Sequence, residues 1–189
     1  MTAIQPTYTR YANVRDRIQD GDLLLFRRRG LSGAAIGAAG RSIYSHAAIA
    51  AWWSESLMCV ETGERFGGRA VRLSPLVAAS PCRIDVYEVK VWDCHREAIV
   101  SAMRQHTGRK YGWATIVWHL WRIAPVVRWF VSPPMDDGAN GSPAVCSSLI
   151  SRACKSAGYD PVPNLSDRAT TPGDLGRSAL FEYRWTLTE

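Results

Sequence analysis

The chain has 189 residues, of which 47% are apolar and 21% charged, a length that suits one domain with a real core better than two. Its net charge of +6, from 23 Lys and Arg against 17 Asp and Glu, is compatible with an anionic partner. However, Arg27-Arg28-Arg29 is the only dense basic run and no aromatic residues interleave with it, so nucleic-acid binding is not expected.

In chain order, residues 1–20 read as an N-terminal arm ending in a short helix. They carry Arg10, Arg15 and Arg17 and lack a continuous apolar stretch, which excludes reading them as a secretory signal peptide. Cytoplasmic synthesis with reduced thiols is therefore expected, with export by another route left open. Asp22 to Phe26 is a brief apolar run after Gly21 and reads as a buried strand. The three arginines that follow read as a solvated strand end or loop. Gly30, Gly33, Gly37 and Gly40 fall on one helical face, suited to close packing; neither a Walker lysine nor G-x-G-x-x-G accompanies them.

Ser45 to Trp53 and Leu57 to Thr62 read as two strands whose short separation implies an antiparallel hairpin. Ala70 to Leu73 is a further extended piece, and Arg83 to Val91 alternates apolar and polar as a half-buried strand does. Asp93 to His106 has helical spacing through Ala98, Ile99, Ala102 and Met103, with Thr107-Gly108 as its stop. Tyr111 to Val131 is the most apolar stretch, holding Trp113, Trp118, Trp121 and Trp129, but Arg122, Pro125 and Arg128 interrupt it as a membrane span. It reads as a buried or lid-like helix, and Trp118 and Trp121 also suit a lipid interface. Ser132 to Ala144 is a Pro- and Gly-rich loop, so 111–144 reads as one insertion. A helix is expected from Val145 to Gly158, an irregular segment from Pro161 to Gly173, and a closing strand from Phe181 to Leu187. No internal repeat or domain boundary is apparent, which makes the whole chain, 1–189, one α+β domain.

Three residues carry a chemical reading. Cys146 opens the expected late helix, where unpaired backbone N–H groups favour a thiolate and can stabilise an oxyanion; a buried structural cysteine is the alternative. Of the four histidines, His46 lies on a strand that would hold its ring rigidly, whereas His95 and His106 fall in a polar helix and His119 in the Trp-rich stretch. Glu61 is the one carboxylate within the apolar LMCVET strand, next in the hairpin to His46. It either orients that imidazole or faces solvent. Five cysteines, Cys59, Cys82, Cys94, Cys146 and Cys154, leave at least one thiol unpaired, and without a C-x-x-C pair they give no zinc signature.

Six segments in order, Gly21-Asp22-Leu23-Leu24-Leu25-Phe26, Ser45-His46-Ala47-Ala48-Ile49, Val60-Glu61-Thr62, Lys110-Tyr111-Gly112-Trp113, Cys146-Ser147-Ser148-Leu149-Ile150 and Thr171-Pro172-Gly173-Asp174-Leu175, resemble the permuted NlpC-type papain-like enzymes, the group that includes YiiX-like proteins and relatives of lecithin:retinol acyltransferase. The resemblance spans about residues 20 to 185. It implies a circularly permuted papain-like α+β fold, in which an antiparallel sheet packs against helices and the cysteine sits at a helix N-terminus. It further implies Cys146 as nucleophile, His46 as base and Glu61 as orienting residue, without metal or organic cofactor. Ser148 departs from the pattern, since relatives often carry an acidic residue there. The implied activity is hydrolysis of an amide bond through a thioester, with peptidoglycan peptides as the leading substrate. A lipid amidase, thioesterase or acyltransferase on the same scaffold, and a non-catalytic peptide- or lipid-binding protein, are the alternatives.

Overall fold

The computed structural model describes residues 5–27, 42–63, 67–108 and 146–189. The glycine-rich face at 30–40, Arg28 and Arg29, the Trp-rich stretch with Trp118, Trp121 and His119, and the loop at 132–144 lie outside the described residues. Among those described, seven strands form one sheet: β1 (Tyr8–Arg10), β2 (Leu23–Arg27), β3 (Tyr44–Trp53), β4 (Ser56–Gly63), β5 (Gly67–Arg72), β6 (Ile84–Val89) and β7 (Phe181–Thr188). Five α-helices accompany them: α1 (Tyr11–Val14), α2 (Leu73–Ala79), α3 (Asp93–Arg104), α4 (Cys146–Ser156) and α5 (Pro172–Arg177).

The strand order is β1-β7-β6-β2-β3-β4-β5. The sheet is mixed rather than purely antiparallel, because β1 runs parallel to β7 while the other neighbours are antiparallel. The expected N-terminal arm is thus a sheet strand, followed by chain that buries Val14 and Ile18.

Side chains alternate along a strand, so a continuous apolar run is read out on both faces of a covered sheet. Leu23 and Leu25 join Ala47, Ile49, Tyr87 and Val89 beneath Ile99 and Met103 of α3, Leu149 and Ile150 of α4 and Leu175 of α5. Leu24 joins Ala48, Ala50, Cys59 and Val86 on the opposite face, against Val14 of α1 and Leu73 and Val77 of α2. Strand β6 is therefore buried on both faces rather than on one. Its polar member, Asp85, is fully buried and accepts hydrogen bonds from Arg27 Nε (3.1 Å), Tyr44 Oη (2.6 Å) and Thr186 Oγ1 (2.7 Å). Arg27 is accordingly half-buried and paired, not the solvated strand end expected from sequence.

The β3–β4 hairpin forms as expected, with Ser54 at φ +51° in its turn. In α3 the buried face is Arg96, Ile99, Val100 and Met103; Ala98, which the apolar spacing had placed inward, is exposed. The charged Arg96 takes the inward place because Asp22 is buried beneath it, at 2.8 Å.

Candidate active site

Strand β3 carries His46 at its third position, opposite Phe26 of β2. The two rings lie 5.2 Å apart, tilted by 55°. Immediately before His46 the register slips: Arg27 pairs with Tyr44, so Ser45 is an extra residue on β3. Such a bulge bends a strand and re-aims the neighbouring side chain. This one is pinned from both sides, since Arg27 and Tyr44 both bind Asp85.

Across the hairpin Ala48 faces Glu61, and Glu61 in turn faces Arg69 of β5. His46 lies two residues from Ala48 and shares its face, which makes Glu61 its diagonal neighbour, within reach of a long side chain. His46 Nε2 and Glu61 Oε2 are 2.6 Å apart. The other carboxylate oxygen, Oε1, accepts Arg69 Nε at 2.7 Å and lies 2.6 Å from Nη2. Glu61 is only 4% exposed, so the solvent-facing alternative does not hold: both oxygens of a buried carboxylate are committed.

Cys146 is the first residue of α4 and is buried. Its thiol lies close enough to His46 and to the backbone N–H groups of Ala47 and Ser147 for all three to favour the thiolate. The Ala47 amide is available because of strand geometry. Amides alternate sides along a strand, and Ala50 N–H donates toward β2, to Asp22 O at 2.8 Å, so Ala47 N–H points toward β4. The β3–β4 register ends at Ala48 opposite Glu61, whereas β4 continues with β5 to Gly63 opposite Gly67. Ala47 N–H, which favours the Cys146 thiolate, therefore lies where β3 and β4 part.

Helix α4 is fixed on its far side by Ser147 Oγ, which donates to Thr170 O (2.6 Å), and Ser151 Oγ, which donates to Asp167 Oδ1 (2.8 Å). The Thr-Pro-Gly-Asp segment then caps α5 reciprocally: Asp174 N–H donates to Thr171 Oγ1, and Asp174 Oδ2 accepts Thr171 N–H. Ser148 is buried and its Oγ finds no hydrogen-bond partner among the described residues.

These contacts set the protonation states. Burial works against a charged imidazole, but the Cys146 sulfur and Glu61 carboxylate outweigh it and push the His46 pKa up to about 10. Burial likewise opposes a thiolate, yet the charge and hydrogen bond of His46, with the two amides, bring Cys146 below its ordinary value. Glu61 is held below the usual carboxylate range by His46 and Arg69, against its burial. The arrangement favours a thiolate–imidazolium pair backed by a carboxylate and a guanidinium.

Sequence reasoning singled out Cys146, His46 and Glu61 as candidates, and the fold places the three close to one another. It missed Arg69, the Ala47 amide and Ser147. Only the β4–β5 register, which places Arg69 opposite Glu61, could have exposed the first of these. His95 lies on α3 with Nδ1 2.9 Å from Tyr159 Oη, apart from this cluster. All five cysteines are free thiols. Among the described residues, no three His, Cys, Asp or Glu side chains converge so as to hold a metal ion, and no helix is long and apolar enough to cross a membrane.

The fold and cluster define an α+β protein with a buried cysteine facing a strand histidine. No family model matches the chain, and no curated protein matches it. Among solved structures it is similar to the crystal structure of the metalloprotein YiiX from Escherichia coli O157:H7, with a TM-score of 0.63 over 88% of this chain and 98% of that one. At 14% identity the likeness is one of fold.

Proposed function

We propose that this chain is a cysteine hydrolase of the circularly permuted papain-like kind, cleaving an amide bond with Cys146 as nucleophile, His46 as acid–base and Glu61 as the residue that orients His46. The observation that carries the reading is the buried Cys146 thiol beside an imidazole that favours its thiolate and whose Nε2 is held by a buried carboxylate. With Nε2 taken by Glu61, this reading assigns Nδ1 to the sulfur. The order of His46 before Cys146 is the permuted one.

In the first half-reaction the thiolate attacks the amide carbonyl carbon, forming a C–S bond and placing charge on the carbonyl oxygen. Amide groups at the start of α4 are suited to receive that charge. His46 gives its proton to the leaving nitrogen, the C–N bond breaks and a thioester remains. Neutral His46 then takes a proton from water as it attacks the thioester. The acid product leaves, and the imidazolium and thiolate are restored. Peptides of peptidoglycan are the proposed substrate class, supported by the resemblance of the motifs and compatible with the basic net charge. The metal in YiiX's name is not carried over, because the donors here are committed to one another: Nε2 to Glu61, Glu61 to Arg69, and sulfur to His46.

The test is the rate of Cys146 alkylation by iodoacetamide from pH 4 to 9, read by peptide mass spectrometry so that exposed Cys82 and Cys94 serve as internal comparisons. In the wild type, labelling of Cys146 should persist below about pH 7, and in His46→Ala the rate at about pH 6 should fall at least tenfold. Labelling that rises only near about pH 8.5 and ignores His46 would exclude an activated pair and leave a binding scaffold.

A further inference from the structure

The cluster does not end at Glu61. Three side chains of alternating charge character, His46, Glu61 and Arg69, stand on adjacent strands β3, β4 and β5 and share one face of the sheet. Arg69 places two nitrogens on the single oxygen of Glu61 that His46 does not use, at 2.7 and 2.6 Å. A carboxylate held through one oxygen can swing about its χ3 axis; held through both, it presents Oε2 to the ring in one orientation. Arg69 is itself 39% exposed, so it bridges the buried carboxylate to the surface.

We propose that Arg69 is a positioning residue for the hydrolytic site: it fixes the orientation and charge of Glu61, and through Glu61 and His46 it sets the pH range over which Cys146 is a thiolate. This rests on the proposed hydrolase reading. The charged and titratable groups around Glu61 are His46 from β3, Arg69 from β5 and the buried thiol of Cys59 on its own strand, while Cys146 of α4 faces His46. Without the guanidinium, a buried carboxylate retains one anchored oxygen and takes a proton at higher pH. A protonated Glu61 no longer supports the imidazolium, and the thiolate loses its counter-ion. The acid edge of reactivity therefore moves up in pH.

The experiment is the same alkylation profile on Arg69→Gln and Arg69→Lys. In Arg69→Gln the midpoint of the acid edge should rise by about one pH unit, and labelling just below the wild-type midpoint should fall by roughly tenfold. Arg69→Lys keeps the charge and should recover at least half of that shift. An acid edge unmoved in Arg69→Gln, while the wild type shows an activated thiol, overturns the inference and leaves the hydrolase reading standing. An ordinary thiol in the wild type removes both. Failure of both variants to fold also overturns it, since Arg69 would then serve stability rather than the site.

Discussion

At the scale of single residues, the site is a matter of which charges are left without water. Glu61 is buried, and its partners His46 and Arg69 use both of its oxygens. Replacing it by glutamine retains an oxygen near Nε2 but removes the negative charge that supports the imidazolium. Burial then acts on His46 with only the sulfur opposing it, so its pKa falls from about 10. Under the proposed mechanism His46 donates a proton to the leaving group, so the alkaline limb of activity would follow its deprotonation. Glu61→Gln should move that limb downward by about one to two units, measured as the pH dependence of amide hydrolysis. An unmoved limb would mean that Glu61 contributes packing alone. The three clustered residues stood out in sequence because each breaks a local pattern: a histidine and a carboxylate in apolar strands, and a cysteine where a helix was expected to open. Arg69 breaks none, since an arginine at a strand edge is unremarkable until its register places it against a buried carboxylate.

At the scale of elements, the segments flanking the cluster do architectural work. Gly21 turns the chain at φ +83°, and Asp22 beside it accepts Gln19 N–H (2.9 Å), Val89 N–H (3.2 Å) and Arg96 Nη1 (2.8 Å). Arg96 also donates to Asp20 O and Val89 O, so one buried pair ties the start of β2, the end of β6 and α3. Removing one member of a buried pair strands the other without solvent. Asp22→Ala should therefore destabilise by about 3 to 5 kcal/mol, read from urea unfolding, with labelling of Cys146 in the remaining folded fraction at its wild-type midpoint. A loss below about 1 kcal/mol would show that water reaches Arg96. Strands β2, β3, β4, β6 and β7 were readable because alternation or an apolar run marks them, whereas β1, three residues with no such pattern, read as an arm. Helices α2 and α5 were not: Pro75 sits in the first, and Pro172, Gly173 and Gly176 fill much of the second. Intrinsic propensity opposes α5, and the Thr171–Asp174 capping box with Leu175 in the core supplies what the sequence pattern lacks.

At the scale of the whole molecule, the site depends on how the β5 edge is held against the helical layer. His46, Glu61 and Arg69 come from three consecutive strands, so their spacing is inherited from hairpin register; Cys146 must be delivered from far along the chain by α4. Besides its pairing with β4, β5 is held by a contact at Gly68, next to Arg69. Its carbonyl accepts Gly108 N–H at 2.7 Å, and a Cβ built on it would stand 2.0 Å from His106 O and 2.8 Å from the carbonyl carbon. Those are backbone atoms of the turn that ends α3, and they cannot rotate away. Gly68→Ala must therefore push β5 from that turn, breaking the hydrogen bond and displacing Arg69 from Glu61. Gly176 offers the control: a Cβ there meets Leu25 Cδ1 at 2.9 Å and Tyr44 Cε2 at 3.3 Å, side-chain atoms that can shift by a few tenths of an ångström. Overpacking of a rigid contact costs about 1 to 3 kcal/mol. Gly68→Ala should lie at the upper end of that range by urea unfolding and should raise the acid edge of Cys146 labelling, as is expected of Arg69→Gln. Gly176→Ala should cost less and leave the edge in place. Equal losses in the two variants, with no change in the edge for Gly68→Ala, would show that β5 adjusts without carrying Arg69 away, and that the strand register alone holds the carboxylate.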